Sequence, residues 1–148
     1  MQSFGLLPKK SLILQYPPNN TITKELFPHF LRGLFDGDGC ITGPFYKNPN
    51  DRNISFFIVS ASQPFLLSLQ NKILEYLKIT SYVRMSKKPN VAKGWAALYN
   101  LMISDRRSLD SLYNFLYKDA HYYLKRKRKR FDDYMLAKNF YKLPLLQA

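Results

Sequence analysis

The chain has 148 residues, enough for one domain with a real core, and its hydrophobic fraction of 46% excludes a disordered polypeptide. Lys and Arg number 23 against 10 Asp and Glu, and a net charge of +13 on so small a chain calls for a polyanionic partner to offset its self-repulsion. A single cysteine, Cys40, excludes a disulfide framework and a zinc cluster; the absence of signal-peptide architecture and of about 20 consecutive apolar residues points to an intracellular, non-secreted protein with no membrane partner.

Residues 1–22 read as an N-terminal arm, because Pro8, Pro17 and Pro18 with Asn19 and Asn20 discourage regular structure. A single domain over 23–148 follows. Thr21 or Thr23 is placed to cap a helix whose regular part runs over 28–36, with Pro28 in its first turn. Phe30, Leu31, Gly33, Leu34 and Gly37 fall on one side of it at helical spacing. A strand is predicted over 39–47, interrupted at Gly43 and Pro44, then a turn over 47–51 and a second strand over 52–60. Ser62 reads as an N-cap with Pro64 in the first turn of an amphipathic helix carrying Phe65, Leu66, Leu69, Ile73 and Leu77. A third strand over 81–87, a turn over 88–90 and a fourth strand over 95–103 come next. Ser104 and Asp105 start a helix with Leu109, Leu112, Phe115 and Leu116, and a last helix is predicted over about 122–141.

Helix, strand pair, helix, strand pair, helices: this order predicts an α+β fold, a four-stranded antiparallel sheet with helices on one face. The other face is left open, twisted and basic, and a β-ribbon of that kind fits a DNA major groove.

Asp36 and Asp38 end the first long helix, with Gly37 between them and Gly39 after. A turn alone would account for two Asp-Gly pairs. A calcium loop would not: its next ligand position holds Cys40, and Ile41 stands where its glycine belongs. Two features favour a functional role. Carboxylates at a helix C-terminus oppose the dipole. Gly33 inside an apolar face costs about 0.5–1 kcal/mol relative to Ala, which close packing against another backbone explains.

The run Leu31-Arg32-Gly33-Leu34-Phe35-Asp36-Gly37-Asp38-Gly39 resembles the signature of the LAGLIDADG homing endonucleases. It matches at Leu31, Gly33, Leu34, Asp36, Asp38 and Gly39; Arg32 and Gly37 replace alanines and Phe35 replaces isoleucine. The Arg32 replacement is the largest, and it predicts a side chain directed at solvent or DNA. The element order fits the same family from about Thr23 on, and residues 116–127 resemble its closing region. The resemblance implies an αββαββα fold with a saddle-shaped sheet, and a homodimer, since one motif makes one half-domain. It implies a dimer interface of Phe30, Leu31, Gly33, Leu34 and Gly37. It further implies that Asp38 binds a divalent metal with help from the Gly37 carbonyl, Mg2+ or Mn2+ being active and Ca2+ binding without supporting cleavage. Asp36 would be structural.

Six consecutive cations, Lys125 to Arg130, are by themselves an ordinary solvated or localisation-type run. Leu124, Phe131 and Met135 mark a buried stripe, so some of the six border it while others face phosphate. The family places a basic residue near the metal site here; Lys127 matches best as a catalytic group and Lys125 second. Lys125, Arg126, Lys47, Arg52, Arg84, Lys87, Lys88 and Lys93 read as phosphate contacts. Strand alternation points Thr42, Tyr46, Asn53, Ser55, Arg84 and Asn100 to the open face, where Arg84 suits guanine and Asn100 adenine. Trp95 and the tyrosines are expected in packing, and His29 and His121 lack ligand spacing.

The expected function is a site-specific, divalent-metal-dependent double-strand DNA endonuclease, homodimeric on a long, partly symmetric site. Such proteins are encoded in mobile introns, in a bacterial cytoplasm or an organelle, chloroplast or mitochondrion. The alternatives are a maturase of the same fold, with intron RNA as partner, and a DNA-binding regulator that does not cut.

Overall fold

The computed structural model describes residues 10–18, 21–43 and 54–140. In chain order its elements are a single turn α1 (Lys10–Ile13), α2 (Phe27–Asp38), β1 (Gly39–Thr42), β2 (Ser55–Ser60), α3 (Gln63–Leu77), β3 (Tyr82–Lys87), β4 (Leu98–Ile103), α4 (Arg106–Tyr117) and α5 (Lys125–Phe140). The strands form one antiparallel sheet in the order β1-β2-β4-β3, with β1 and β3 at the edges.

Local side-chain chemistry accounts for two of the helix starts, those of α3 and α4. The Ser62 hydroxyl accepts the Phe65 amide at 3.3 Å with Pro64 beside it, and the Asp105 carboxylate accepts the Ser108 amide at 2.9 Å. The start of α2 differs from expectation. Neither Thr21 nor Thr23 caps it through its side chain; Leu26 stands at the cap, and the Thr23 carbonyl accepts the amides of Leu26 and Phe27. The last helix begins at Lys125, three residues later than predicted, because the Leu124 carbonyl receives the amides of Lys127 and Arg128.

The helices cover one face of the sheet. Phe27, Leu31 and Phe35 line the inner side of α2, at every fourth residue, and are fully buried. They meet Phe56 and Ile58 of β2, Leu101 and Ile103 of β4, and the apolar stripes of α3 and α4 in one core. Phe35 stacks on Phe56 at 4.8 Å, and Phe131 of α5 contacts the rings of Phe35, Phe56, Tyr113, Tyr117 and Tyr134. Each such side chain contributes about 1.5–3 kcal/mol on burial, so this cluster fixes α2 and α5 against the sheet.

Within the segment read as an arm, residues 14–18 dock on this body. Ser62 Oγ donates to the Leu14 carbonyl at 2.6 Å, and the Tyr16 ring sits between Phe30 and Phe65. The β3–β4 hairpin carries a short 3-10 turn at Val91–Lys93, closed by Gly94 at φ 64, where a glycine is suited to the left-handed backbone. That turn delays β4 until Leu98. The predicted strand ends and turn over 44–53, with Tyr46, Lys47, Arg52 and Asn53, lie outside the described residues.

Candidate active site and nucleic-acid interface

Helix α2 runs into β1 without an intervening loop. The Gly39 amide bonds back to the Phe35 carbonyl, and a Cβ at Gly39 would lie 2.7 Å from Phe35 Cα. Only glycine lets the strand leave the helix so tightly. Asp38, the last helical residue, is thereby held exposed at this junction beside the exposed Gly37. Asp36 has a different setting. Its Oδ2 accepts the Leu124 amide at 2.9 Å, and its Oδ1 is buried without a hydrogen-bond partner. Two acids of one motif thus differ in environment: one ties α2 to the chain ahead of α5, the other faces outward.

Arg32 corrects the sequence reading. It is 6% exposed, not directed at solvent. Its guanidinium donates to the carbonyls of Leu116 at 2.6 Å and Tyr122 at 2.9 Å, and to His29 Nδ1 at 2.7 Å. Arginine has no acceptor, so His29 accepts on Nδ1 and carries its proton on Nε2. The physical reason lies in α4: its last-turn carbonyls have no partners within the helix, and Leu116 presents one of them to α2. Each of the three guanidinium nitrogens thus has one acceptor, which offsets the cost of burying the charge.

The basic run is divided by its helix. Lys127 donates its ammonium to the Gly39 carbonyl and lies 5.8 Å from the Phe35 ring centre. Arg130, almost one turn on, donates to the Ile41 carbonyl at 2.9 Å. Gly39 and Ile41 are two apart on an edge strand, so these carbonyls point out of the sheet, and α5 covers that edge. Arg128 lies over the rings of Tyr123 and Tyr117, at 4.5 and 5.1 Å, and is 3.8 Å from Asp132. Lys129 pairs with Asp133 at 3.0 Å. Lys125 and Arg126 are exposed. No acid occupies the first turn of α5, so the cations crowd the positive end of its dipole.

Burial shapes the ionisation of this corner. The Tyr117 hydroxyl is pushed well above the usual tyrosine range by burial, with the Asp36 and Asp132 charges adding to it. Tyr113 is raised by burial and by its 2.5 Å hydrogen bond to Asp132.

On the face away from the helices, the strand register aligns Cys40, Phe57, Met102 and Tyr82 in one row and Val59, Asn100 and Arg84 in the next. Thr42 pairs with Ser55, whose hydroxyl is 2.8 Å from that of Ser104. Thr42, Ser55, Arg84 and Asn100 are therefore brought onto one face. The apolar row between them was not singled out in the sequence, although alternation along β2 places Phe57 and Val59 opposite the buried Phe56 and Ile58. Lys87 and Lys93 converge on Trp95, at 4.0 and 4.7 Å from its ring centre, and Lys88 is exposed nearby. Trp95 is 47% exposed, so it is not a packing residue: the 3-10 turn carries it to the hairpin tip.

The outer side of α2 presents Leu26, Phe30, Gly33 and Gly37 at helical spacing, with Leu34 at its border. Leu26 is 50% exposed, Phe30 and Leu34 are half-buried, and a Cβ at Gly33 or Gly37 would meet nothing within 4 Å. Leu31, expected on this side, points the other way and is fully buried in the chain's own core.

Among the described residues there is no group of three or more His, Cys, Asp or Glu side chains able to hold a metal, and no helix long and apolar enough to cross a membrane. At the α2–β1 junction the available donors are all oxygens, the Asp38 carboxylate and the Gly37 carbonyl. This set suits a hard cation that keeps water ligands and needs only one or two carboxylates.

No curated protein matches this sequence. A solved structure of an archaeal intron-encoded homing endonuclease, I-Vdi141I in complex with DNA, shares the fold with a TM-score of 0.52 at 16% identity, over 81% of this chain and 72% of that one. The profile of the LAGLIDADG-like domain matches residues 29–116, from the first turn of α2 to the end of α4. The motif, the strand order and that match, which spans more than half of the sequence, agree: the chain belongs to the LAGLIDADG family.

Proposed function

We propose that this protein is a site-specific DNA endonuclease, intron-encoded, that works as a homodimer with a divalent cation. The observation that carries the reading is the α2–β1 junction. An exposed carboxylate, Asp38, stands one residue from the carbonyl that receives the Lys127 ammonium, in a chain of net charge +13.

The dimer rests on Gly33 and Gly37. Each costs α2 about 0.5–1 kcal/mol relative to Ala, and among the described residues nothing lies close enough to require either. A second copy of α2 approaching along this side would need both. Its two-fold axis would bring two Asp38 carboxylates to one place, a site that neither chain has alone.

Asp38 and the Gly37 carbonyl would hold Mg2+ or Mn2+, with Ca2+ bound but inactive. When bound, the cation supplies Lewis acidity toward the scissile phosphate. Lys127 stabilises negative charge developing beside it. The open sheet face carries the duplex, with Arg84 and Asn100 toward base edges and Lys87, Lys88, Lys93, Lys125 and Arg126 toward phosphates. The structural neighbour, described as a homing endonuclease complexed with DNA, supports this use of the fold.

The deciding experiment incubates purified protein with a duplex spanning the intron-less insertion locus, with Mg2+ or with EDTA. Cleavage of both strands in Mg2+ only is the expected result. No cleavage, together with stimulated splicing of the intron RNA, would replace this reading with the maturase.

A further inference from the structure

Helix α2 contacts the chain on both sides of the α4–α5 connection through two side chains one helical turn apart. Arg32 donates to Leu116 in the last turn of α4 and to Tyr122 near the end of the connection. Asp36 accepts the amide of Leu124. Leu124 is where α5 begins, since its carbonyl receives the amides of Lys127 at 3.0 Å and Arg128 at 3.1 Å. Within the first turn of α5, Lys127 returns to the Gly39 carbonyl, next to Asp38. The contacts therefore close a ring: Arg32 and Asp36 to the connection, the connection to the first turn of α5, that turn to the end of α2.

We propose that Arg32 and Asp36 together are positioning residues for Lys127, setting where α5 starts and hence where the ammonium stands relative to Asp38. The catalytic consequence rests on the endonuclease reading; the positioning itself does not. The electrostatics of α5 show why such a device is needed. Its first turn holds Lys125, Arg126, Lys127 and Arg128 at the positive end of the helix dipole with no acid among them, a sequence that disfavours its own first turn. The Asp36 carboxylate, delivered from α2 to the amide at the helix start, supplies the missing negative charge. Arg32 stands where the family signature has alanine. The buried guanidinium is thus a feature of this chain, and its carbonyl contacts fix the connection at Leu116 and Tyr122 while Asp36 fixes the following amide.

The test uses the full chain with Asp36→Ala, Arg32→Ala and Lys127→Ala, alone and in pairs. Two readouts are taken: the 15N-resolved NMR signal of the Lys127 ammonium without DNA, and single-turnover cleavage in Mg2+ beside duplex affinity in Ca2+. The ammonium signal, assigned by its loss in Lys127→Ala, is expected to disappear or move to the position of exposed lysines in both α2 variants. Cleavage is expected to fall by about tenfold or more in Asp36→Ala, with affinity within about threefold, and by less than about twofold when Lys127 is already Ala, as coupled residues require. An unchanged ammonium signal, or an equal loss of cleavage in both backgrounds, overturns the proposal. A wild-type protein that never cuts, but whose ammonium signal responds as described, overturns the endonuclease reading and leaves the positioning standing. Should Arg32→Ala or Asp36→Ala lose its far-UV circular dichroism, Leu124→Pro, which leaves both α2 side chains in place and removes the amide that Asp36 accepts, must displace the same signal while a Leu124→Ala control, which keeps that amide, must not.

Discussion

Arg84 and Asn100 sit directly opposite each other across the β3–β4 pair, on the face away from the helices. The Asn100 Oδ1 is buried without a hydrogen-bond partner, while Arg84 leans toward the Tyr82 ring at 5.9 Å. The two residues share one row of the face that the helices leave open, where the base edges of a bound duplex would lie. Arg84→Ala and Asn100→Ala should each lose about 1–3 kcal/mol of discrimination at one position of the target. Selection of bound sequences from a randomised duplex pool measures this. Lys88→Ala should weaken all sequences alike and lower the salt dependence of binding; uniform weakening in all three variants would remove Arg84 and Asn100 from base reading.

The outer side of α2 gives opposite expectations for two substitutions at one residue. A Cβ at Gly33 meets nothing within 4 Å among the described residues, so Gly33→Ala should stabilise an isolated monomer by about 0.5–1 kcal/mol. Gly33→Leu should leave the monomer folded but force two copies of α2 apart. Sedimentation should show a dimer for wild type and a monomer for Gly33→Leu, which should also lose cleavage. A fully dimeric, active Gly33→Leu protein would rule out close helix packing here.

Two tyrosines of the α4–α5 corner separate by their partners. Tyr113 donates to Asp132, whereas the Tyr117 hydroxyl is buried without a hydrogen-bond partner. Tyr113→Phe should cost about 1.5 kcal/mol, as loss of a bond to a charged group does, and Tyr117→Phe should be neutral or stabilising. Both hydroxyls have their ionisation raised, so the folded state keeps their protons where the unfolded chain loses them: stability is unaffected below the unfolded tyrosine value near pH 10 and declines as pH rises from there through the higher folded one. Melting temperatures between pH 8 and 11 should therefore fall less steeply for Tyr117→Phe than for wild type.

What the sequence made legible was local or periodic. Ser62 and Asp105 cap their helices because an N-cap needs only its own next few amides, and strand alternation alone puts Thr42, Ser55, Arg84 and Asn100 on one face, as the register does. The errors lie where distant segments meet. Leu31 borders both sides of α2, and only the packing of β2 and α4 against that helix decides which side it joins. Arg32 reads as directed at solvent or DNA because nothing near it in sequence announces that the carbonyls of Leu116 and Tyr122, more than 80 residues on, need a donor. Trp95 looked like a strand residue until the 3-10 turn before it moved β4. The link from Asp36 to Leu124 spans 88 residues and left no periodic trace.

The two acids of the motif provide the sharpest chemical comparison. Asp38 is exposed at the α2–β1 junction, whereas Asp36 is occupied by the Leu124 amide. Asp38→Asn keeps the shape of the side chain and removes the charge that would hold a cation. DNA binding should persist, and even strengthen as a negative charge near phosphate is lost, while cleavage of both strands should fall below detection at any Mg2+ concentration. Asp36→Asn retains an oxygen able to accept the Leu124 amide, so it should keep part of its activity and lower the melting temperature. Gel-shift affinity in Ca2+ and single-turnover cleavage in Mg2+ read the two effects separately. If Asp38→Asn cuts at the wild-type rate and Asp36→Asn folds normally but is inactive, the cation belongs to Asp36, and the outward-facing carboxylate has no part in the chemistry.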